Sequence, residues 1–179
     1  MIILFKFIFF CGGLIPLFLG FFIYIQDRNK LINKTYLGLS LCCAVWGLGF
    51  FGLISSTSTE VAYLWRMFMD TGAIILPAFW IHFVYSILYS KINQKEITSY
   101  YFLGILIIFL NIADYYFPGL FIKSVANETV FPYYPIASFG YYLFLLFYIF
   151  IIPNSFFHLI RNYFKNTGIK AQQIKYLLI

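Results

Sequence analysis

The sequence predicts an all-α, polytopic membrane helix bundle, with five transmembrane helices followed by the start of a sixth. Three observations predict it. Of 179 residues, 63% are apolar and 24% aromatic while 10% are charged, against roughly 45–50% apolar and 25% charged in an average soluble domain. The apolar residues fall in blocks of about 20, the length a helix needs to cross the hydrocarbon core. The charged residues gather in the short connections between those blocks, where orientation signals lie. This pattern excludes a soluble globular fold. The net charge of +6 therefore reads as membrane orientation, with the lipid bilayer as partner and no nucleic acid.

The first predicted span covers about 3–25. It carries Lys6, and Leu19-Gly20-Phe21-Phe22 offers no small-x-small cleavage site, so it reads as an uncleaved helix rather than a signal peptide. Pro16 is tolerable inside it where neighbouring helices re-satisfy the backbone. The polar run Gln26-Asp27-Arg28-Asn29-Lys30 ends it. The second span is expected over about 36–54 and the third over about 62–89, parted by the turn-forming Ser55-Ser56-Thr57-Ser58-Thr59, with Glu60 near the third helix's start. A fourth span is expected over about 100–116 and a fifth over about 136–159, joined by an outer loop, 117–135. Within that loop, residues 120–125 and Thr129-Val130-Phe131 flank a polar Ala126-Asn127-Glu128, as a small β-hairpin cap would. An ordinary exposed loop with its aromatics in the interface fits the same residues. The closing Tyr176-Leu177-Leu178-Ile179 turns apolar after a basic, polar stretch, as the opening of a sixth span cut short.

Positive residues in short loops stay cytoplasmic. The connection after span one has Arg28, Lys30 and Lys34; that after span three has Lys91 and Lys95; the segment after span five has Arg161, Lys165, Lys170 and Lys175. Nine basic residues thus lie on one side against Lys6, Arg66 and Lys123 on the other. The amino terminus is expected outside.

Cys11, Cys42 and Cys43 all sit within apolar blocks and read as small buried hydrophobes. Gly47-Leu48-Gly49-Phe50-Phe51-Gly52 matches G-x-G-x-x-G, but the strand, helix and acidic residue of a dinucleotide-binding unit are missing around it. Gly47, Gly49 and Gly52 are therefore expected to serve close helix packing. His158-Leu159-Ile160-Arg161-Asn162 loosely resembles a phosphoacceptor box, yet Leu159 stands where an acidic neighbour belongs, and an interfacial role suits His158 better.

Span three holds the most informative polar residues, because ionisable groups inside a membrane are costly and point to function. Arg66 and Asp70 are four apart, on one face and one turn from each other, so they can pair. A structural ion pair and a ligand site in the outer half of the bundle are both open. His82 lies twelve residues past Asp70, about 18 Å along the axis and on roughly the opposite face, so the two cannot cooperate within one helix. Arg66, Asp70, Trp80 and His82 are the candidate ligand-binding residues. Asp114, with Asn111, is expected at the outer end of span four, meeting water. No nucleophile set, paired carboxylates or metal-ligand spacing is present in the sequence, so no catalytic residue, metal or cofactor is expected and the chain does not read as an enzyme.

With the spans placed, three segments resemble the N-terminal seven-transmembrane sensor region of bacterial histidine kinases. Leu39 to Gly52 with Trp46-Gly47 resembles that family's small-residue, Trp-containing second helix. Ala62-Tyr63-Leu64-Trp65-Arg66-Met67 through Gly72, Pro77 and Ile81-His82-Phe83-Val84 resembles its third, with W-R, G, P and H-F in order. Ala171-Gln172-Gln173-Ile174-Lys175-Tyr176-Leu177-Leu178 resembles the linker into its sixth. The resemblance implies a bacterial inner-membrane receptor that senses a small-molecule or membrane-derived signal and passes it to a cytoplasmic kinase or diguanylate cyclase domain. It also implies a homodimer held through that cytoplasmic region. A transporter or channel subunit, or an accessory membrane protein, is the alternative; a membrane enzyme would want polar groups converging from several spans.

Overall fold

In lipid every backbone N–H and C=O must be satisfied within the protein, and an apolar run achieves this as a helix. The computed structural model, which describes residues 2–89, 92–126 and 133–178, follows that rule. Its elements are α1 (Ile2–Gln26), α2 (Leu31–Ser55), α3 (Thr59–Leu88), α4 (Gln94–Ala113), β1 (Ile122–Ala126), β2 (Tyr134–Ala137), α5 (Phe139–Lys165) and α6 (Gly168–Leu178). The first four and α5 are long and apolar enough to cross a membrane.

Side chains placed in the turns fix how successive helices reverse. Asn33 Nδ2 donates to the carbonyls of Ile23 at 3.1 Å and Asp27 at 3.0 Å, capping the end of α1 from the first turn of α2. Between α2 and α3, Ser56 Oγ donates back to Gly52 O at 2.8 Å, and Ser58 is the N-cap of α3, accepting from Val61 N at 3.4 Å.

Helices α1, α2 and α3 pack in that order through small residues. A Cβ on Gly47 would stand 2.8 Å from the backbone nitrogen of Gly13 in α1, and one on Gly49 would stand 2.6 Å from Met69 Cα in α3. A Cβ on Gly52 would enter the Trp65 ring, 2.1 Å from its Cδ2. Each of the three glycines thus sits where a neighbouring helix leaves no room for a side chain.

Helix α3 is the centre of the bundle, packing against α2, α4 and α5. Its Ile74, Ala78, Ile81 and Val84 are completely or nearly completely buried, together with Phe147 and Ile151 of α5. Pro77 has no N–H to give the carbonyl of Ala73, the loss that makes proline disruptive in a helix. Tyr148 of α5 supplies the missing donor, its hydroxyl reaching Ala73 O at 2.8 Å. Replacing Tyr148 with phenylalanine strands that carbonyl and is expected to destabilise the bundle by about 1–2 kcal/mol, read by denaturant titration in nanodiscs.

Several boundaries differ from the sequence reading. Helix α4 begins at Gln94, not near residue 100, because Glu96 in its first turn is bonded to Tyr85 and Tyr100 rather than left to water. It stops at Ala113, where the chain turns back so that the side chain of Asp114 can take later N–H groups. Helix α5 starts at Phe139 because Ile136 and Ala137 belong to β2. The connection between α4 and α5 is a two-stranded antiparallel hairpin, with Ser124 opposite Ile136 and a register shift between Ile122 and Ser124. The expected second strand at Thr129-Val130-Phe131 lies outside the described residues; the strand that pairs with β1 comes later, at Tyr134–Ala137.

The hairpin is tied down at its base. Ser138 N–H donates to Phe121 O at 3.1 Å and Gly140 N–H to Leu120 O at 2.8 Å, while Ser138 Oγ donates to Gly119 O at 2.6 Å. Phe121 and Ile122 are buried beneath it. This end of the bundle is called the hairpin end below.

Candidate functional site

Tyr63, Arg66 and Asp70 recur at three and four residues along α3, and so face one direction. Asn111 and Asp114, three apart at the end of α4, face them. Arg66 is 0% exposed and its guanidinium is shared among three partners. Nη1 donates to Asp70 Oδ2 at 3.1 Å and also to Asn111 Oδ1, and Nη2 donates to Asp114 Oδ2 at 3.2 Å. The guanidinium lies 4.5 Å above the Tyr63 ring, a cation–π contact. Asn111 Nδ2 completes its own bonding by donating to Met67 O at 2.9 Å.

Asp114 joins this cluster to the hairpin. Its Oδ1 accepts the N–H of Phe121 at 2.7 Å and of Gly119 at 3.2 Å, and its Oδ2 accepts from the Tyr63 hydroxyl as well as from Arg66. The sequence reading had Asp114 meeting water; it is 0% exposed instead, because the residues that follow it fold back and present their N–H groups to its carboxylate. One carboxylate thereby holds α3, α4 and the start of the hairpin together. A buried charge is tolerable only when paired and hydrogen-bonded, and Arg66 with Asp114 meets both conditions.

Asp70 is bonded differently. It is 3% exposed and gives Oδ2 to Arg66, while Oδ1 has no partner among the described residues. It lines a cavity of about 510 Å³ between α2, α3, α5 and β2, whose walls include Trp46, Phe50, Tyr133, Tyr141 and Phe144.

A second polar network lies at the opposite end of the bundle, where His158 of α5 meets α3 and α4. The Tyr85 hydroxyl donates to Glu96 Oε1 at 2.8 Å, which leaves its oxygen to accept from His158 Nε2 at 3.0 Å. His158 Nδ1 then accepts from the Tyr89 hydroxyl at 2.8 Å, and Asn162 Nδ2 reaches that same hydroxyl at 3.2 Å. The half-buried His158 ring, expected at the interface, packs edge-on against Tyr85 and Tyr89, with centroids 5.1 and 6.0 Å away.

Of the four candidate residues read from the sequence, the structure brings Arg66 and Asp70 together. His82 is placed elsewhere, with Nδ1 3.1 Å from the Tyr101 hydroxyl. Trp80 donates from Nε1 to Ser155 Oγ at 2.6 Å, linking α3 to α5. Tyr63, Asn111 and Asp114 are the cluster members sequence reasoning left out. The three-residue spacing of Asn111 and Asp114, matching that of Tyr63 and Arg66, is the sequence signal that could have found them.

Five membrane-length helices, with a buried ion cluster between α3 and the end of α4 and a hairpin at that end, define a polytopic helical membrane protein. A family model described as the N-terminal 7TM region of histidine kinase matches residues 8–179, and the chain belongs to that family. No curated protein and no solved structure matches the chain.

Proposed function

We propose that this chain is the sensory input region of a signal-transduction protein in the bacterial inner membrane. The hairpin end faces outside, and a change there is passed to a cytoplasmic output domain by shifts between α3, α4 and α5. The observation that carries this reading is the Arg66–Asp114 pair, a buried ion pair that joins α3, α4 and the hairpin at one point. Anything that moves the hairpin or Asp70 must act on both helices through it. At the other end α3, α4 and α5 are joined again through Tyr85, Glu96 and His158, so a displacement has a defined place to emerge. The orientation is supported by charge: with Arg66 enclosed in the cluster, the hairpin side keeps Lys6 and Lys123 as loop or terminal cations, against nine basic residues on the other.

On this reading the chain carries no reaction of its own, and a signal acts by favouring one helix arrangement over another. The test is output activity of the full-length protein in membranes. Asp70→Asn is expected to shift basal output at unchanged protein level. If Asp70→Asn leaves output unchanged while His82→Ala abolishes it, the hairpin end is not where the signal enters. Solute uptake by proteoliposomes of the full-length protein would instead support a transporter.

A further inference from the structure

We propose that the cavity beside Asp70 is a binding site for an organic cation, an ammonium group carried on an apolar body. The inference rests on the sensory reading above and names the chemistry of its ligand. Three observations point to it.

The first is charge. Among the described residues that line the cavity the one formal charge is the Asp70 carboxylate, since Arg66, fully buried, is not part of the wall. An anion entering the cavity would meet Asp70 and no accessible cation among the described lining residues. The cluster behind the wall holds two carboxylates, Asp70 and Asp114, against a single guanidinium. Asp114 has further donors in the hairpin N–H groups, whereas Asp70 is bonded through Oδ2 alone.

The second is the unused acceptor. Asp70 Oδ1 has no hydrogen-bond partner among the described residues although the residue is 3% exposed. A ligand N–H or ammonium placed in the cavity would give that oxygen a charge-assisted donor.

The third is the wall. At about 510 Å³ the cavity falls in the range of small-molecule pockets. Its aromatic side chains, Trp46, Phe50, Tyr141 and Phe144 with Tyr133 from the hairpin segment, offer ring faces that suit both an apolar body and a positive charge. The wall draws on α2, α3, β2 and α5, so an occupant touches α2 and α5, which contribute no residue to the ion cluster. An ammonium on Asp70 also competes with Arg66 for that carboxylate, and Arg66 is held at its other side by Asn111 and Asp114 of the α4 segment.

The experiment titrates the full-length protein in lipid nanodiscs with 2-phenylethylammonium, 2-phenylethanol and 3-phenylpropionate, reading tryptophan fluorescence, since Trp46 lines the cavity. Saturable binding of the ammonium is expected, with the alcohol and the carboxylate at least about tenfold weaker, the loss expected when a charge-assisted hydrogen bond is missing. Asp70→Asn is expected to reduce ammonium binding by a similar factor. Because that variant disturbs the Arg66 pair, Ala137→Phe serves as the second: it fills the cavity from β2 while leaving every side chain of the cluster in place, and is also expected to abolish binding. Equal binding of the three probes, no binding of the ammonium, or ammonium binding untouched by both variants overturns the proposal. Output separates this from the sensory reading. A full-length protein whose output responds to Asp70→Asn but which binds no ammonium has lost the ligand assignment alone. One that binds the ammonium with no change in output under any cluster variant keeps the site and loses the sensory role.

Discussion

Replacing Asp114 by alanine is expected to lower the stability of the bundle by about 3–5 kcal/mol, the cost of leaving one member of a buried ion pair uncompensated. The loss has several parts. Arg66 Nη2 loses its partner, the Tyr63 hydroxyl loses its carboxylate acceptor, and the N–H groups of Gly119 and Phe121 lose theirs. Each orphaned donor is buried or half-buried, so water replaces the carboxylate poorly. Unfolding by denaturant in nanodiscs measures the total. Amide hydrogen exchange gives the location: Gly119 and Phe121 are expected to lose protection first, because their N–H groups are bonded by the side chain that was removed. Asp114→Asn keeps an acceptor for those amides but not the charge, and is expected to fall between the alanine variant and the wild type.

Gly49→Leu is expected to cost about 3 kcal/mol or more by forcing α2 away from α3. A Cβ at this position meets Met69 Cα at 2.6 Å and Met69 N at 2.8 Å, so the obstacle is backbone that cannot rotate aside. Gly12→Leu on α1 is the control, since a Cβ there meets nothing within 4 Å. It is expected to change stability by no more than about 0.5 kcal/mol. The same denaturant titration distinguishes them: equal effects of the two substitutions would mean that close approach at Gly49 does not hold α2 to α3.

The helices were legible because membrane length and hydropathy leave few alternatives for an apolar block. The Arg66–Asp70 pair was legible for a local reason, their four-residue spacing on one helix. Asp114 was misread because its burial depends on the chain that follows it. No periodicity in the sequence shows that Gly119 and Phe121 will fold back with their N–H groups directed at its carboxylate. The partners of His158 were not legible either, since Tyr85 and Tyr89 lie about seventy residues earlier, on another helix. The early start of α4 escaped hydropathy because Gln94, Lys95 and Glu96 are polar, and hydropathy finds the apolar core of a span rather than its first turn. The hairpin was expected as a cap, and the pairing strand at Tyr134–Ala137 was not read from the sequence because Pro135 is an unusual residue for a strand and is admitted only at a sheet edge.

The two polar networks, at opposite ends of α3 and α4, are the physical basis for treating the bundle as a relay. Spatial intermediacy alone does not establish that two sites communicate; a coupling free energy does. The direct measurement is a double-mutant cycle on the output activity of the full-length protein in membranes, pairing Asp70→Asn at the hairpin end with Glu96→Gln at the other. If α3 and α4 carry the signal, the effect of the double variant departs from the sum of the single effects by about 0.5 kcal/mol or more. Purely additive effects, with both single variants shifting output, would contradict the relay between the two ends.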